Sequence, residues 1–238
     1  MVRPIAATGV EAPGQSLLPP TAELSEARRR LFETAIVLFG ERGFHGVSVR
    51  DLTSALGQQK AALYGHASSK QDLLFQLVLI GYKEHFRLLD NAVRDADDDA
   101  VSQLRALVRA HVRFHLLYPA AARVGTREVR ALTPGHSATV GAVRQQTQDL
   151  FLSVVRRGQQ DGVFEVKDVE LAVLAIAGMG IRIAEWQDRV IRDPDYLSAN
   201  YEDFALQIVR ARNVDGGTSP SLRALPKRRT AHPSGVGG

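Results

Sequence analysis

Apolar positions organise this chain. Leu24, Ala27, Leu31, Ala35 and Leu38 recur every three or four residues, which predicts a helix with one buried face, capped by Thr21 and ended at Gly43. Ser48 followed by Asp51 forms a capping box, so a second helix runs from Val49 through Leu52, Ala55 and Leu56 to a stop at Gly57. A third short helix restarts through Lys60, Ala61, Ala62, Leu63 and Tyr64, giving helix-turn-helix spacing. Ser69 with Asp72 opens a long connector helix through Leu73, Leu77, Ile80 and Phe86 that ends near Arg94.

Five more helices follow the same logic. Asp97, Asp98 and Asp99 precede a helix from Ala100 to Tyr118, where acidic residues favour the positive end of the helix dipole. Pro119 starts a short helix through Val124, Glu128 and Leu132, and Thr133 with Pro134 starts a long one that Gly162 ends. VFEVKD is the only strand-like run and, with no partner, reads as a loop before the cap at Asp168. The segment LAVLAIAGMGIRIAEW is apolar nearly all round, which predicts deep burial or a subunit interface. Asp193 and Pro194 open the last helix through Tyr196, Phe204, Leu206 and Val209. The fold class is therefore all-α with about nine helices: a three-helix head in residues 21–68 and a larger helical region in 69–212. Residues 1–20 and the basic tail 213–238, rich in Pro, Gly or Ser, read as disordered.

On the second helix of the turn motif, Gln58, Gln59, Lys60 and Tyr64 face outward, with His66 just beyond. Such side chains suit a DNA groove: Gln bonds adenine edges or phosphates, Lys a phosphate or guanine, and Tyr lies along the backbone. Ser48 and Lys70 stand at helix starts where phosphates dock, and Arg50 lies beside the first of them. A plain three-helix bundle is the competing reading, an interaction module without DNA. The segment from Leu31 to Leu74 resembles the tetracycline-repressor (TetR) family. The match is carried by Ala35, Leu38, Phe39, Gly43, Phe44, Ser48, Val49, Asp51, Leu52, Ala55, Gly57, Leu63, Tyr64, His66, Ser69, Lys70, Leu73 and Leu74. Gln58, Ala61 and Ala67 depart from the family pattern, which expects a small apolar residue, Gly and Phe there. Leu56 stands where Ala is usual and refills part of the volume that Ala67 gives up.

The resemblance implies a homodimeric transcriptional regulator, expected to be a repressor, that binds a near-palindromic double-stranded DNA operator and is released by a small-molecule effector. It implies a dimer interface in the last two helices, with Leu171, Leu174, Ile183, Phe204 and Ile208 as candidates. It also places an effector site among the middle helices, where His111, Phe114, His115, Arg127, Glu128, Phe151, Met179, Arg182 and Trp186 are the candidate lining. Arg105, Arg109 and Arg113, then Arg123, Arg127 and Arg130, form stripes three or four apart. Stripes of this kind, with the AARVGTREVRAL and GMGIRIAEW segments, are similar to members that respond to acyl-coenzyme A thioesters, where Arg meets the phosphates. Solvated arginines on exposed faces are the competing reading.

Composition narrows the chemistry. The absence of cysteine among 238 residues removes disulfides, thiolate metal sites and cysteine nucleophiles. A formal charge of +4 is too small to argue for nucleic acid by itself, and residues 21–74 carry seven basic against six acidic side chains. No membrane-length apolar run and no apolar signal core are present, so a cytoplasmic protein is expected. An enzyme is the rival class. His111 and His115 are spaced to share a metal, but Val112 stands where a metalloprotease helix carries Glu, leaving Glu128 as the candidate third ligand. Polar pocket-lining or partly exposed histidines are the simpler reading, with no cofactor and no resident metal. Gly178 and Gly180 follow no strand, so close helix packing explains them better than a dinucleotide loop.

Overall fold

The computed structural model describes residues 17–20, 24–57, 63–186 and 193–212, and every regular element within them is helical. Helix α1 (Glu26–Arg42) begins at Ser25, whose hydroxyl accepts from the Arg28 amide; the expected cap, Thr21, lies outside the described residues. Gly43 ends α1 at φ 71°, a backbone angle that an L side chain rarely adopts. Helix α2 (Val49–Leu56) carries the full capping box at Ser48 and Asp51, and Gly57 closes it in the left-handed conformation at φ 64°. Leu63 and Tyr64 are helical, but Gln58, Gln59 and Lys60 lie outside the described residues.

Connector α3 (Lys70–Asp95) starts on Ser69, whose hydroxyl accepts from the Asp72 amide at 3.0 Å. Asp72 itself turns to Ser68, accepting from its amide at 2.8 Å, so the reciprocal half of the box is shifted by one residue. Helices α4 (Ala100–Leu117) and α5 (Pro119–Glu128) follow, then a short 3-10 turn (Val129–Ala131) and α6 (Pro134–Gln160). Asp99 caps α4, while Asp98 pairs with Arg157 on α6 at 2.7 Å. The VFEVKD loop buries Phe164 and Val166. Its backbone is fastened to residues 209–212: the Glu165 amide donates to the Val209 carbonyl and the Arg212 amide to the Val163 carbonyl, both at 2.9 Å.

One expected helix is two. The segment beginning after Asp168 breaks at Arg182 into α7 (Val169–Ile181) and α8 (Ile183–Trp186). Gly178 and Gly180 just before the break each cost about 1 kcal/mol of helix propensity against Ala, which weakens that turn. The burial of this segment is also one-sided: Leu171 and Leu174 are 63% and 57% exposed, while Val173 and Ile176 are buried. Helix α9 (Pro194–Ile208), capped by Asp193, packs along α4 and α7.

The apolar residues gather into two principal clusters. The first joins α1, α2 and the start of α3 through Phe32, Phe39, Phe44, Leu52, Leu63 and Leu74, and it takes in Val124, Leu132 and Val140. Leu18 belongs to it as well, so residues 17–20 are held against the head. The second joins α4, α6, α7 and α9 through Leu104, Val108, Phe151, Ile176 and Leu206. The connector contributes Leu73 and Leu77 to the first and Leu89 to the second, so one helix runs through both. Among the described residues no helix is long and apolar enough to cross a membrane.

Candidate functional site

Two places concentrate the candidate residues. In the head, Tyr64 is 52% exposed beside the buried Leu63, the arrangement that leaves an aromatic face for a partner. Arg50 is exposed and His66 half-buried. Ser48 is committed to the fold: its hydroxyl accepts from the Asp51 amide at 3.1 Å, and its own amide donates to the Asp51 carboxylate at 2.7 Å. Those bonds from Ser48 hold the Asp51 carboxyl below the usual carboxylate range. Lys70 is committed too, donating to the carbonyls of Phe44 at 2.9 Å and Val47 at 2.6 Å, with its ammonium 4.1 Å from the Phe44 ring centre. Burial lowers its pKa.

The second place is a cavity of about 70 Å³ between α3, α4 and α5. Val78, Gly81, Tyr82 and His85 line it from the connector, Phe114 and His115 from α4, and Ala121, Ala122, Gly125 and Thr126 from α5, with Ile181 closing one side. The walls are mainly apolar, with a few polar tips, the ordinary make-up of a small-molecule pocket. Of the lining expected from sequence, Phe114 and His115 are there. His111 lies directly behind them, its ring 4.6 Å from that of His115, and Phe151 lies behind His111 at 5.6 Å. Met179 and Trp186 pack against the second core cluster, and Arg182 is exposed. Glu128 sits elsewhere, accepting from the Phe44 amide at 3.1 Å.

Sequence reasoning missed His85. Its connector stripe, Val78, Gly81, Tyr82 and His85, keeps helical spacing, but read alone it is indistinguishable from a packing face. His85, His111 and His115 are all buried. His111 Nε2 is 3.0 Å from the Ala177 carbonyl, which can only accept, so Nε2 carries the proton and Nδ1 holds a lone pair. His85 Nε2 donates to that Nδ1 at 2.8 Å, and His115 Nδ1 donates to the His111 carbonyl at 2.8 Å. Desolvation lowers His111 to about 4 and, reinforced by His111, lowers His115 to about 3. Burial and the two neighbouring rings push His85 well down as well. All three are neutral imidazoles at neutral pH.

The arginine stripes are largely engaged. Arg109 makes a two-pronged pair with the buried Glu202 at 2.7 and 3.1 Å, and Arg105 lies 3.6 Å from the same carboxylate. Arg113 is 4.0 Å from Asp195, Arg123 donates to the Ala184 carbonyl at 2.6 Å, and Arg127 pairs with Glu185. Arg130 is exposed. Of the interface candidates, Leu171, Leu174 and Phe204 are exposed, whereas Ile183 is fully buried and Ile208 packs against the chain's own core.

Comparison with known proteins supplies an independent finding. The family described as "Bacterial regulatory proteins, tetR family" matches residues 31–77, and "Tetracyclin repressor-like, C-terminal domain" matches residues 97–209. A TetR-family regulatory protein from Rhodococcus RHA1, of known crystal structure, is 30% identical and superposes with a TM-score of 0.74, covering 80% of this chain and 100% of that one. The HTH-type transcriptional repressor KstR2 of Rhodococcus jostii is 28% identical over 162 residues, 66% of this chain and 79% of the repressor. AibR, solved in complex with isovaleryl coenzyme A and operator DNA, shares the fold at a TM-score of 0.68 and 22% identity, over 79% of this chain and 100% of AibR.

Proposed function

Because this chain belongs to the TetR family of transcriptional regulators, we propose that it is a homodimeric repressor whose hold on a near-palindromic operator is released by a small molecule in the α3–α4–α5 cavity. The observation that carries this reading is the position of α5. One face of that helix lines the cavity through Ala121, Ala122, Gly125 and Thr126. Further contacts of α5 reach the head: Val124 is buried in the first core cluster, and Glu128 holds the Phe44 amide in the turn between α1 and α2. A ligand that displaces α5 therefore acts on the reading head through packed side chains rather than through a flexible linker. It lowers operator affinity by its differential affinity for the two arrangements.

On the DNA side, the proposed roles are groove contacts for Gln58, Gln59, Lys60, Tyr64 and Arg50, and edge or phosphate contacts for His66. Ser48 and Lys70 support them by fixing the turn. Two heads act together, since one short helix reads too few base pairs, and their centres lie about 34 Å apart or slightly more. The exposed apolar faces of α7 and α9, with Leu171, Leu174 and Phe204, supply the subunit contact.

For the effector, an acyl-coenzyme A thioester with a short acyl chain fits the reading: the apolar cavity takes the acyl group, and Arg127 and Arg130 take phosphates, with Glu185 yielding Arg127. AibR, whose bound ligand is such a thioester, supports the choice.

The test is a gel shift against the DNA upstream of the protein's own gene. Tyr64→Ala and Lys60→Ala should each weaken binding by roughly 1–3 kcal/mol with folding intact. Acyl-coenzyme A species should release the complex, and Arg127→Ala or Arg130→Ala should blunt that release. Unchanged operator affinity in both head variants overturns the DNA assignment. Release by free acids but not by thioesters overturns the coenzyme A assignment alone.

A further inference from the structure

The connector and α4 meet at three buried imidazoles; His85 and His115 are part of the cavity wall, but neither operator binding nor the acyl-group reading uses the lone pairs of the three rings. We propose that His85, His111 and His115 form a binding site for one divalent transition-metal ion of zinc-like preference, bridging the connector to α4. This goes beyond the regulator reading and stands or falls independently of it.

Proximity comes first. One nitrogen from each ring can be chosen so that all three lie within 4.8 Å of one another. A tetrahedral zinc ion with bonds of about 2.0–2.1 Å needs its ligand nitrogens about 3.3 Å apart. His85 Nε2 and His111 Nδ1, at 2.8 Å, would open slightly and the His115 nitrogen would close in from within 4.8 Å.

The hydrogen bonds already select the ligating tautomer in two of the three rings. A ligating histidine characteristically donates its other N–H to a carbonyl, which fixes the ring and raises the basicity of the free nitrogen. His111 donates through Nε2 to Ala177, and His115 donates through Nδ1 to the His111 carbonyl, leaving His111 Nδ1 and His115 Nε2 as lone-pair donors. His115 Nε2 takes part in no hydrogen bond among the described residues, and His115 lines the cavity. His85 needs only to carry its proton on Nδ1 to turn Nε2 into the third ligand. The burial that keeps the three rings neutral keeps them in the metal-binding form.

A dedicated seat holds the middle ligand. A Cβ at Gly180 would overlap the His111 ring, so the missing side chain on α7 makes the space in which that ring reaches Ala177. Because His85 and His115 also line the cavity, the fourth position of a tetrahedral ion faces it, where water or an anionic ligand completes the shell. All-nitrogen ligation with no carboxylate suits zinc, cobalt, nickel or copper over magnesium or calcium.

The experiment uses full-length protein without a histidine tag, stripped with chelator, and titrates Zn²⁺ in competition with a chromophoric chelator. The proposal expects one equivalent bound per chain. His85→Gln and His115→Gln should each weaken binding by about 100-fold or more, since loss of a supporting partner alone typically costs 10–100-fold. His136→Gln, a ring that stacks on Phe75 away from the cluster, should bind as the parent does. Co²⁺ added to the unaltered protein gives a second readout, needing no variant to fold: intense visible absorption of tetrahedral cobalt, bleached by Zn²⁺. No competition with the chelator, equal binding by the parent and both cluster variants, or only the pale spectrum of hydrated cobalt would each overturn the site.

Discussion

The core beneath the reading head and the core around the cavity use the same aliphatic residues but bury different companions. Under the head, Phe32, Phe39, Leu52, Leu63 and Leu74 close on one another, and the polar group inside is Thr53, which donates back to the Arg50 carbonyl at 3.1 Å. In the other half the protein buries Glu84, His85, His111, His115, Ser198 and Glu202. Glu84 is held by Arg87 at 2.8 Å and Glu202 by Arg109, but the histidines have mainly each other. A head that must keep one shape is filled with groups whose burial is unconditional. The half proposed to answer a ligand carries groups whose comfort depends on protonation and on what occupies the space beside them.

Acid should separate the two regions most strongly. A histidine whose folded pKa lies below its unfolded value of about 6.5 leaves the unfolded chain binding more protons, so stability is whole above that pH and is lost as pH falls. The loss runs from about 6.5 to about 4 for His111 and to about 3 for His115, at about 1.4 kcal/mol per pH unit for each. Asp51 in the head, lowered by its Ser48 bonds, loses its contribution only as pH falls below its ordinary 3.8. Urea midpoints at pH 7.5, 6 and 5 should fall steeply, and His115→Gln should flatten the slope by about one histidine's share. A midpoint constant across that range would show that the rings are not held neutral.

A pair of glycine substitutions sharpens the same contrast. Gly180→Ala forces a Cβ into the His111 ring and endangers its bond to Ala177, so it should cost about 2–4 kcal/mol. Gly57→Ala meets open space, and its penalty is only the left-handed backbone, about 1–2 kcal/mol. Equal losses in thermal melts would mean that the histidine seat is softer than its packing implies.

What could be read from sequence follows the range of the signals. Caps act within three residues, so the Ser48–Asp51 box, the cap at Ser69 and the stops at Gly43 and Gly57 were legible, while the turn of Asp72 to Ser68 was not. The histidine cluster was half legible. His111 and His115 share one helix turn, but His85 arrives from 26 residues earlier through the packing of α3 on α4, and no local rule encodes that crossing. Of the two glycines read as close-packing residues, Gly180 is one, though its partner, the His111 ring on another helix, could not be named, whereas Gly178 has open space where a Cβ would stand. Arginine stripes misled for a related reason: periodicity shows that Arg105 and Arg109 share a face, not that Glu202 from the far end of the chain already occupies it.

The link between the two regions can be cut at Glu128. Glu128→Ala leaves the Phe44 amide in the α1–α2 turn without its charged acceptor, a change worth about 1.5–3 kcal/mol when buried and toward the lower end at this half-buried position. The expected signature is a modest loss of stability with a larger loss of response: effector should still bind, but release less operator. Full effector response in this variant would place the coupling in the connector instead of α5.

The smallest effect tests how the head compensates for its own departure from the family pattern. Ala67 is buried in the first core cluster where TetR relatives are expected to carry Phe, and Leu56, at the last turn of α2, packs partly buried against that cluster. If Leu56 supplies volume that Ala67 lacks, removing three of its carbons opens a gap that Ala67 cannot close. Leu→Ala costs about 2–5 kcal/mol in a sealed core, but a half-exposed position lets water into part of the space, so about 1 kcal/mol is expected for Leu56→Ala. In a chain of this size that corresponds to a melting point roughly 2–4 °C lower. If the two positions share that space, Leu56→Ala combined with Ala67→Phe should recover the loss, because the larger ring restores the volume. An unchanged melting point in the single variant, or a double variant that melts lower than either single one, would show that the two positions do not share the space.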